Sequence, residues 1–172
     1  MGACPRAFAA LVASDTAPEN PLVHQRADAH IFLHTDGWYY MTGSVPEYDR
    51  LVLRRARTLA GLASAPERVL WRHEESGPMS GFIWAPELHL IDNKWTMYFA
   101  AGPSGGGEDV FRIRTYAVVC DGSDPMTGSW SVLGKFRTPF DGFNLDSTVF
   151  THRGTRYFCW AEREPRLPSQ HP

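Results

Sequence analysis

Short runs of alternating apolar and polar residues, separated by turn residues, fill most of this chain from about residue 20 onward. Alternation with a period of two is typical of half-buried β-strands, and turn-forming pairs mark the hairpin loops between them. Asp36-Gly37, Asp92-Asn93 and Arg153-Gly154 are such pairs. No apolar stripe with the period of a helix recurs, so the pattern predicts an all-β fold. The predicted strands lie near 28–34, 38–44, 50–57, 67–72, 86–91, 94–101, 110–120, 130–135, 146–151 and 155–161.

The predicted strands recur as a unit. Asp28, Glu87 and Asp146 follow one another at intervals of 59 residues. A self-similar period of this length indicates a repeated supersecondary unit, and four strands per unit is the composition of a β-propeller blade. Because blades surround a common axis, we expect the three acids, on the innermost strands, to lie close together. The same interval relates Ile31, Leu90 and Val149, then Tyr39, Tyr98 and Tyr157, and then Tyr40, Phe99 and Phe158.

The third unit contains only its first two predicted strands, and a polar, proline-rich segment follows them. Proline lacks the N–H that a central strand must donate, so this segment is not expected to add strands. The chain therefore contains about two and a half blades, and typical propellers close with four to eight. We interpret residues 1–20 as a loose leader, 21–165 as a partial propeller with blades starting near 28, 87 and 146, and 166–172 as an irregular tail.

Composition excludes several function classes. The net charge of the 172 residues is −2 with both signs mixed, which argues against nucleic acid or an anionic membrane as a partner. Three cysteines, an odd number without paired spacing, argue against a disulfide framework or a zinc site. No apolar run approaches the ~18 residues of a membrane span, and Ala7–Ala13 is a weak imitation of a signal peptide. We expect a soluble protein, extracellular or cytoplasmic.

Three converging carboxyl groups suit acid–base hydrolysis. Inverting cleavage of a glycosidic bond uses one carboxylate to activate water and one protonated carboxyl to donate to the leaving oxygen. A third negative charge nearby raises the pKa of the donor and keeps it protonated. On the interval alone, Asp28, Glu87 and Asp146 are equal candidates for these roles.

Four motifs stand out in the sequence: Arg26–His30, Asp36–Ser44, Ile83–Leu88 and Asn144–Phe150. Through these motifs the chain resembles glycoside hydrolase family 43 over about residues 20–165, and residues 45–56 resemble its exo-acting α-L-arabinofuranosidases. The resemblance implies a five-bladed propeller with an inverting site, acting on arabinose- or xylose-containing poly- and oligosaccharides. It implies Asp28 as general base and Asp146 as the third carboxylate, which orients the acid and adjusts its pKa. The general acid would be a glutamate of the following blade, near position 205, so we expect little or no activity from 172 residues.

The remaining candidates concern sugar binding and metals. The resemblance places Glu87 in the wall of the site, and Trp84 and Phe143, again 59 residues apart, are candidate sugar-binding aromatics or inter-blade packing residues. His30 and His34 lie in a strand-like run and are interpreted as packed or solvated, so no metal site and no cofactor are predicted. β-Xylosidase specificity and a non-catalytic sugar-binding remnant remain alternatives. The family usually has proline where this chain has Ala29.

Overall fold

A computed structural model describes residues 18–105 and 109–164, and these residues form antiparallel strands with two short 3₁₀ turns. The predicted all-β fold is confirmed, and the strands lie close to the predicted positions. No helix in the described part of the chain is long and apolar enough to cross a bilayer. The strands are β1 (Ala27–Leu33), β2 (Tyr39–Ser44), β3 (Arg50–Ala56), β4 (Arg68–Arg72), β5 (Gly81–Ile91), β6 (Lys94–Gly102), β7 (Arg114–Cys120), β8 (Trp130–Lys135), β9 (Asn144–His152) and β10 (Thr155–Glu162).

The strands form successive blades in chain order. β1-β2-β3-β4 is the first blade and β5-β6-β7-β8 is the second, each a four-stranded antiparallel sheet. β9 and β10 pair as a two-stranded sheet, which begins the third unit. The prediction of two and a half blades is thus confirmed for the described residues. Most of the predicted leader and the whole predicted tail lie outside them, so those two boundaries stay predictions.

Two strand starts differ from the prediction. β5 begins at Gly81, six residues before Glu87, and reaches it through two register shifts. The predicted start of this strand, near residue 86, is therefore about five residues too late. β7 begins at Arg114 because residues Asp109–Arg112 form a 3₁₀ turn. An apolar run such as this one does not distinguish a turn from a strand by periodicity alone.

The 59-residue interval relates residue types along the sequence, but residues at equivalent positions do not have equivalent partners on the neighbouring strand. Tyr98 pairs directly with Glu87, whereas Tyr39 pairs with Leu33, five residues beyond Asp28. β1, β5 and β9 each contain a bulge or a similar irregularity, and an extra residue in one strand absorbs such a difference. The acids therefore converge through blade geometry together with local irregularity of each inner strand.

The main core lies between the first two blades. Phe99 of β6 is 1% exposed, and its ring packs 5.3 Å from Trp71 of β4 and 6.1 Å from Tyr116 of β7, measured between ring centroids. Tyr40 and Trp95 extend the same cluster. Trp71 and Trp130, on the outermost strands of the two blades, both pack against this core.

Polar contacts also join the two blades. Arg55 of β3 donates to both carboxylate oxygens of Asp124, at 3.0 and 2.9 Å. Arg68 of β4 donates to the carbonyl oxygens of Pro125 and Gly128. A planar guanidinium makes such paired contacts with defined geometry, so these residues fix the orientation of the first blade against the second.

Candidate active site

Asp28, Glu87 and Asp146 line one cavity, as the repeat predicted. The cavity has a volume of about 210 Å³, and Ala29, His30 and Ala85 complete its lining. Two larger clefts, of about 530 and 720 Å³, lie elsewhere on the described surface. The lining of each larger cleft includes a single acid, Asp141 or Glu19. The small cavity is therefore the candidate site for hydrolysis by paired carboxyl groups.

Asp28 lies in a bulge of β1 and has a positive φ of 51°. The bulge fits closely against β2, because a Cβ added to Gly43 would come within 3.1 Å of the Ala27 carbonyl oxygen. Ser44, 2% exposed, donates its hydroxyl to Asp28 Oδ2 at 3.1 Å. The same Ser44 oxygen accepts a hydrogen bond from the Ala85 N–H at 2.8 Å. One buried hydroxyl thus orients Asp28 and ties it to the second blade.

The segment before Asp28 is anchored by a group of ion pairs. Arg26 donates to both oxygens of Glu67 at 2.9 and 2.7 Å, and Arg54 donates to the same carboxylate at 3.1 Å. Burial acts to raise the pKa of Glu67, but the hydrogen bonds and charges of the two arginines outweigh it and hold that pKa below its ordinary value. This pairing fixes the backbone two residues ahead of Asp28.

Asp146 has nearly the same backbone conformation as Asp28, a bulge with a φ of 52°. Asn144, fully buried, positions the start of β9, since its side-chain oxygen accepts from the Thr115 N–H at 2.7 Å. Its side-chain amide donates to the Gly142 carbonyl oxygen at 2.7 Å. Partial burial, and then the negative charges of Asp28 and Glu87, raise the pKa of Asp146.

Glu87 differs from the two aspartates although it occupies the equivalent position in the repeat. It lies opposite Tyr98 in a regular pair, and the positive φ, 44°, belongs to Ala85 two residues earlier. Burial acts to raise the pKa of Glu87, but hydrogen bonds from His89 and Thr148 and the charges of His30 and His89 lower it below its ordinary value. A carboxyl group with a lowered pKa is a poor proton donor near neutral pH.

Three of the residues that line this cavity have a strained backbone. Asp28, Ala85 and Asp146 all line it, and all three have a positive φ that side chains rarely adopt. Each such conformation costs about 1–3 kcal/mol and persists where surrounding structure enforces it, often at active sites. Three strained residues on three inner strands, facing one cavity, indicate a site that the fold maintains at a cost in stability.

The predicted aromatic residues lie beside the cavity lining. Among the described residues, those that line the cavity do not include Trp84 or Phe143. The Trp84 ring packs edge-on against Tyr48 and Phe82, and its buried indole N–H has no acceptor among the described residues. The Phe143 ring lies 6.2 Å from that of Phe111. Their roles in sugar binding stay predictions.

The role of Ser44 and the contact between His30 and His89 were not predicted from the sequence. Ser44 gives no signal of its own, because a serine at the end of a strand is ordinary. The two histidines are 59 residues apart, and this shared interval was a usable signal. Nitrogen or oxygen atoms of His30, Glu87 and His89 lie within 4.8 Å of one another, a grouping that resembles a metal site.

A prediction concerns the stability cost of Asp146. A carboxyl group whose pKa is raised in the folded state lowers the free energy of unfolding when it is ionised. This loss of stability is complete above the raised pKa and disappears below the ordinary pKa of 3.8. Asp146→Asn is therefore expected to stabilise the chain at pH 7 by up to about 0.5 kcal/mol, since the residue is exposed. Urea unfolding at pH 7 and at successively lower pH measures the gain, which should shrink on acidification. Glu75→Gln, a change at an exposed acid, is the control, and a loss of stability at pH 7 would contradict the argument.

The comparisons with known proteins agree with this geometry. The sequence profile of glycosyl hydrolases family 43 matches residues 18–172. The chain belongs to glycoside hydrolase family 43. An extracellular exo-α-(1→5)-L-arabinofuranosidase of Streptomyces chartreusis is 56% identical to this family-43 chain over 147 residues, which cover 86% of the chain and 44% of the relative. α-L-Arabinofuranosidase 43 of Humicola insolens is 53% identical over 146 residues, covering 85% of the chain and 30% of the relative.

Solved structures show the same relationship. The α-L-arabinofuranosidase from Lactobacillus brevis matches the family-43 chain with a TM-score of 0.82 and 46% identity, covering 88% of this chain and 48% of that one. A thermostable family-43 glycoside hydrolase, 16% identical with a TM-score of 0.59, shares the fold. The family-43 chain thus spans between 30% and 48% of the length of these relatives.

Proposed function

We propose that this chain supplies the water-activating side of an inverting site that releases terminal α-L-arabinofuranosyl residues from plant polysaccharides. The observation that carries the proposal is the pair of strained aspartates, Asp28 and Asp146, on one cavity with Glu87. The relatives that carry the name of arabinofuranosidase, at 46% to 56% identity, support the substrate class. Inversion rather than retention follows from the base role that the resemblance implies for Asp28.

The proposed chemistry begins at Asp28. Its carboxylate accepts a proton from a water molecule held on the face of the sugar opposite the leaving oxygen. The water oxygen forms a bond to the anomeric carbon while the bond to the leaving oxygen breaks, so the configuration inverts. Ser44 holds Asp28 Oδ2 by a hydrogen bond at 3.1 Å and leaves the other oxygen available for water. Asp146, with its raised pKa, is placed to orient the donor that protonates the leaving oxygen.

The proton donor is expected on a further unit, near position 205 by the interval of this chain. We therefore predict that the 172-residue chain alone cleaves an α-(1→5)-linked arabino-oligosaccharide at least about 10²–10⁴-fold more slowly than a complete enzyme, the usual contribution of general acid–base help. A sugar alkoxide needs a proton in order to leave, whereas 4-nitrophenolate does not. The matched comparison is a hybrid in which residues 18–164 replace the aligned segment of the Streptomyces chartreusis relative. Turnover by the hybrid, with the inverted anomer as the first product in proton NMR, would support the proposal.

Two results would contradict this proposal. The first is a normal enzymatic rate from the isolated chain, which would show that the donor lies among its own residues. The second is a folded hybrid that cleaves 4-nitrophenyl β-D-xylopyranoside and leaves the arabinofuranoside intact, which would assign β-xylosidase specificity.

One observation favours a second candidate, a sugar-binding domain without turnover. The buried Trp84 indole N–H lacks an acceptor among the described residues, and such a group is costly unless a ligand or water pairs with it. Calorimetric titration of the hybrid with arabino-oligosaccharides tests this candidate. Binding by the hybrid that Trp84→Phe weakens, with no product formed, would favour it over hydrolysis.

A further inference from the structure

We propose that His89 and His30 form a clamp that holds Glu87 as an anion facing the cavity, which makes His89 a positioning residue for sugar binding. This inference rests on the proposed function for its sugar, but the clamp itself can be tested without one. It assigns to Glu87 the role of accepting hydrogen bonds from sugar hydroxyls rather than donating a proton. Neither histidine was expected to act in the site.

The first half of the clamp follows from strand alternation. Residues two apart in a strand point to the same face, so Glu87 and His89 of β5 project together while Leu88 between them is buried on the other side. His89 is 7% exposed, and its Nε2 lies 3.0 Å from Glu87 Oε2. A carboxylate accepts at this distance, so Nε2 is the protonated nitrogen of His89.

The second half comes from the neighbouring blade. The Leu88 N–H donates to His30 Nδ1 at 3.2 Å, which places the proton of a neutral His30 on Nε2. His30 Nε2 lies 3.9 Å from the same Glu87 Oε2, and the two imidazole rings are 5.2 Å apart. His89 is therefore hydrogen-bonded to Glu87 Oε2, and His30 Nε2 lies near the same oxygen, beyond hydrogen-bond distance.

The same tautomer argues against a metal ion bound by His30, Glu87 and His89. A ligating histidine offers the lone pair of one nitrogen and carries its proton on the other. For His30 to ligate through Nε2, its Nδ1 would carry the proton and face the Leu88 N–H, which places two donors together. The arrangement fits a hydrogen-bonded carboxylate better than a metal centre.

The charges around the clamp explain its pH response. Asp28 and Asp146 face Glu87 across the cavity, and the Tyr98 ring lies 6.1 Å from that of His89. Burial, and after it the charge of His89, lower the pKa of His30 although the charge of Glu87 acts to raise it, so His30 is neutral near pH 7. When acid protonates His30, the added positive charge strengthens its attraction to Glu87. The clamp therefore keeps Glu87 ionised to lower pH than an isolated glutamate.

The experiment uses carbon-13 NMR of the Glu87 carboxyl group in the sugar-free chain. We expect its titration midpoint below the ordinary value of 4.5 in the wild type. His89→Leu, which removes the N–H, should raise that midpoint, whereas His89→Gln, which places an amide N–H near the same position, should keep it low. Nitrogen-15 shifts of the wild-type imidazoles should show His30 protonated on Nε2 and accepting at Nδ1.

The affinity for arabinose is the second quantity to be measured. At pH 5, arabinose should bind the His89→Leu hybrid about tenfold more weakly than the wild-type hybrid and the His89→Gln hybrid nearly as well, because only leucine removes the hydrogen bond that holds the charged carboxylate. An equal Glu87 midpoint in wild type and His89→Leu, or a His30 proton on Nδ1, would overturn the clamp. A shifted midpoint in the chain, with no arabinose binding by the wild-type hybrid or by either hybrid variant, would leave the clamp standing and overturn the proposed function. If His89→Leu does not fold, the wild-type midpoint and tautomer decide.

Discussion

Asparagine in place of Asp28 is expected to lower the kcat of the hybrid enzyme by about 10²–10⁴-fold, because the amide cannot take a proton from the attacking water. Asparagine matches aspartate in shape and can still accept the Ser44 hydroxyl bond, so the bulge should persist. KM for 4-nitrophenyl α-L-arabinofuranoside should change little, since the lost interaction develops in the transition state. Initial rates over a range of substrate concentrations separate the two parameters.

The control for this prediction is Glu75→Gln in the same hybrid, which alters an exposed acid outside the lining of the cavity. A second variant, Asp28→Ala, removes the carboxylate and leaves space for a small anion. Azide needs no deprotonation, so it can form the C–N bond as the C–O bond to 4-nitrophenolate breaks. It should restore turnover in Asp28→Ala and give the glycosyl azide of inverted configuration. Unchanged kcat in Asp28→Asn would remove Asp28 from the base role.

Much of the fold could be predicted from the sequence because the signals are local. Alternating apolar positions and turn pairs predicted where the strands lie. The equal interval between Asp28, Glu87 and Asp146 predicted that these acids lie close together. Both signals depend only on residue type and spacing. The cavity that these three acids line agrees with that interpretation.

The geometry of the site could not be predicted in the same way. The positive φ of Asp28 and Asp146 arises from bulges, and a bulge depends on how the partner strand is paired. Ala85 takes the same conformation without any residue preference for it. The bridge from Ser44 to Asp28 and Ala85, likewise, joins residues whose contact depends on how two blades pack.

The 59-residue interval predicted the position of Glu87 but not its environment. It made Glu87 equivalent to the two aspartates, but the structure gives Glu87 a regular pair and an environment that lowers its pKa. Equal spacing predicts which residues meet and does not predict which of them are strained. In this site the strained acids, Asp28 and Asp146, are the ones to which the family resemblance assigns catalytic roles.

Alanine in place of Phe99 is expected to lower the free energy of unfolding by about 3–5 kcal/mol, because it empties a fully packed position in the core. Phe99 is 1% exposed and touches Trp71 of the first blade and Tyr116 of its own blade. Domains of ordinary stability unfold with about 5–15 kcal/mol, so this loss is a large fraction of the total. Urea denaturation followed by tryptophan fluorescence measures it.

Leu133→Ala provides the matched comparison for Phe99→Ala, since Leu133 is 66% exposed on β8 and should lose no more than about 0.5 kcal/mol. Equal destabilisation by the two variants would contradict the assignment of the core to the interface between blades. Because Phe99 contacts the first blade through Trp71, its loss also weakens the packing that holds Asp28 close to Glu87. We therefore expect the Phe99→Ala hybrid, at temperatures where it is still folded, to have a lower kcat than the Leu133→Ala hybrid. Asp28 and Glu87 lie on different blades, so their separation depends on the core between those blades.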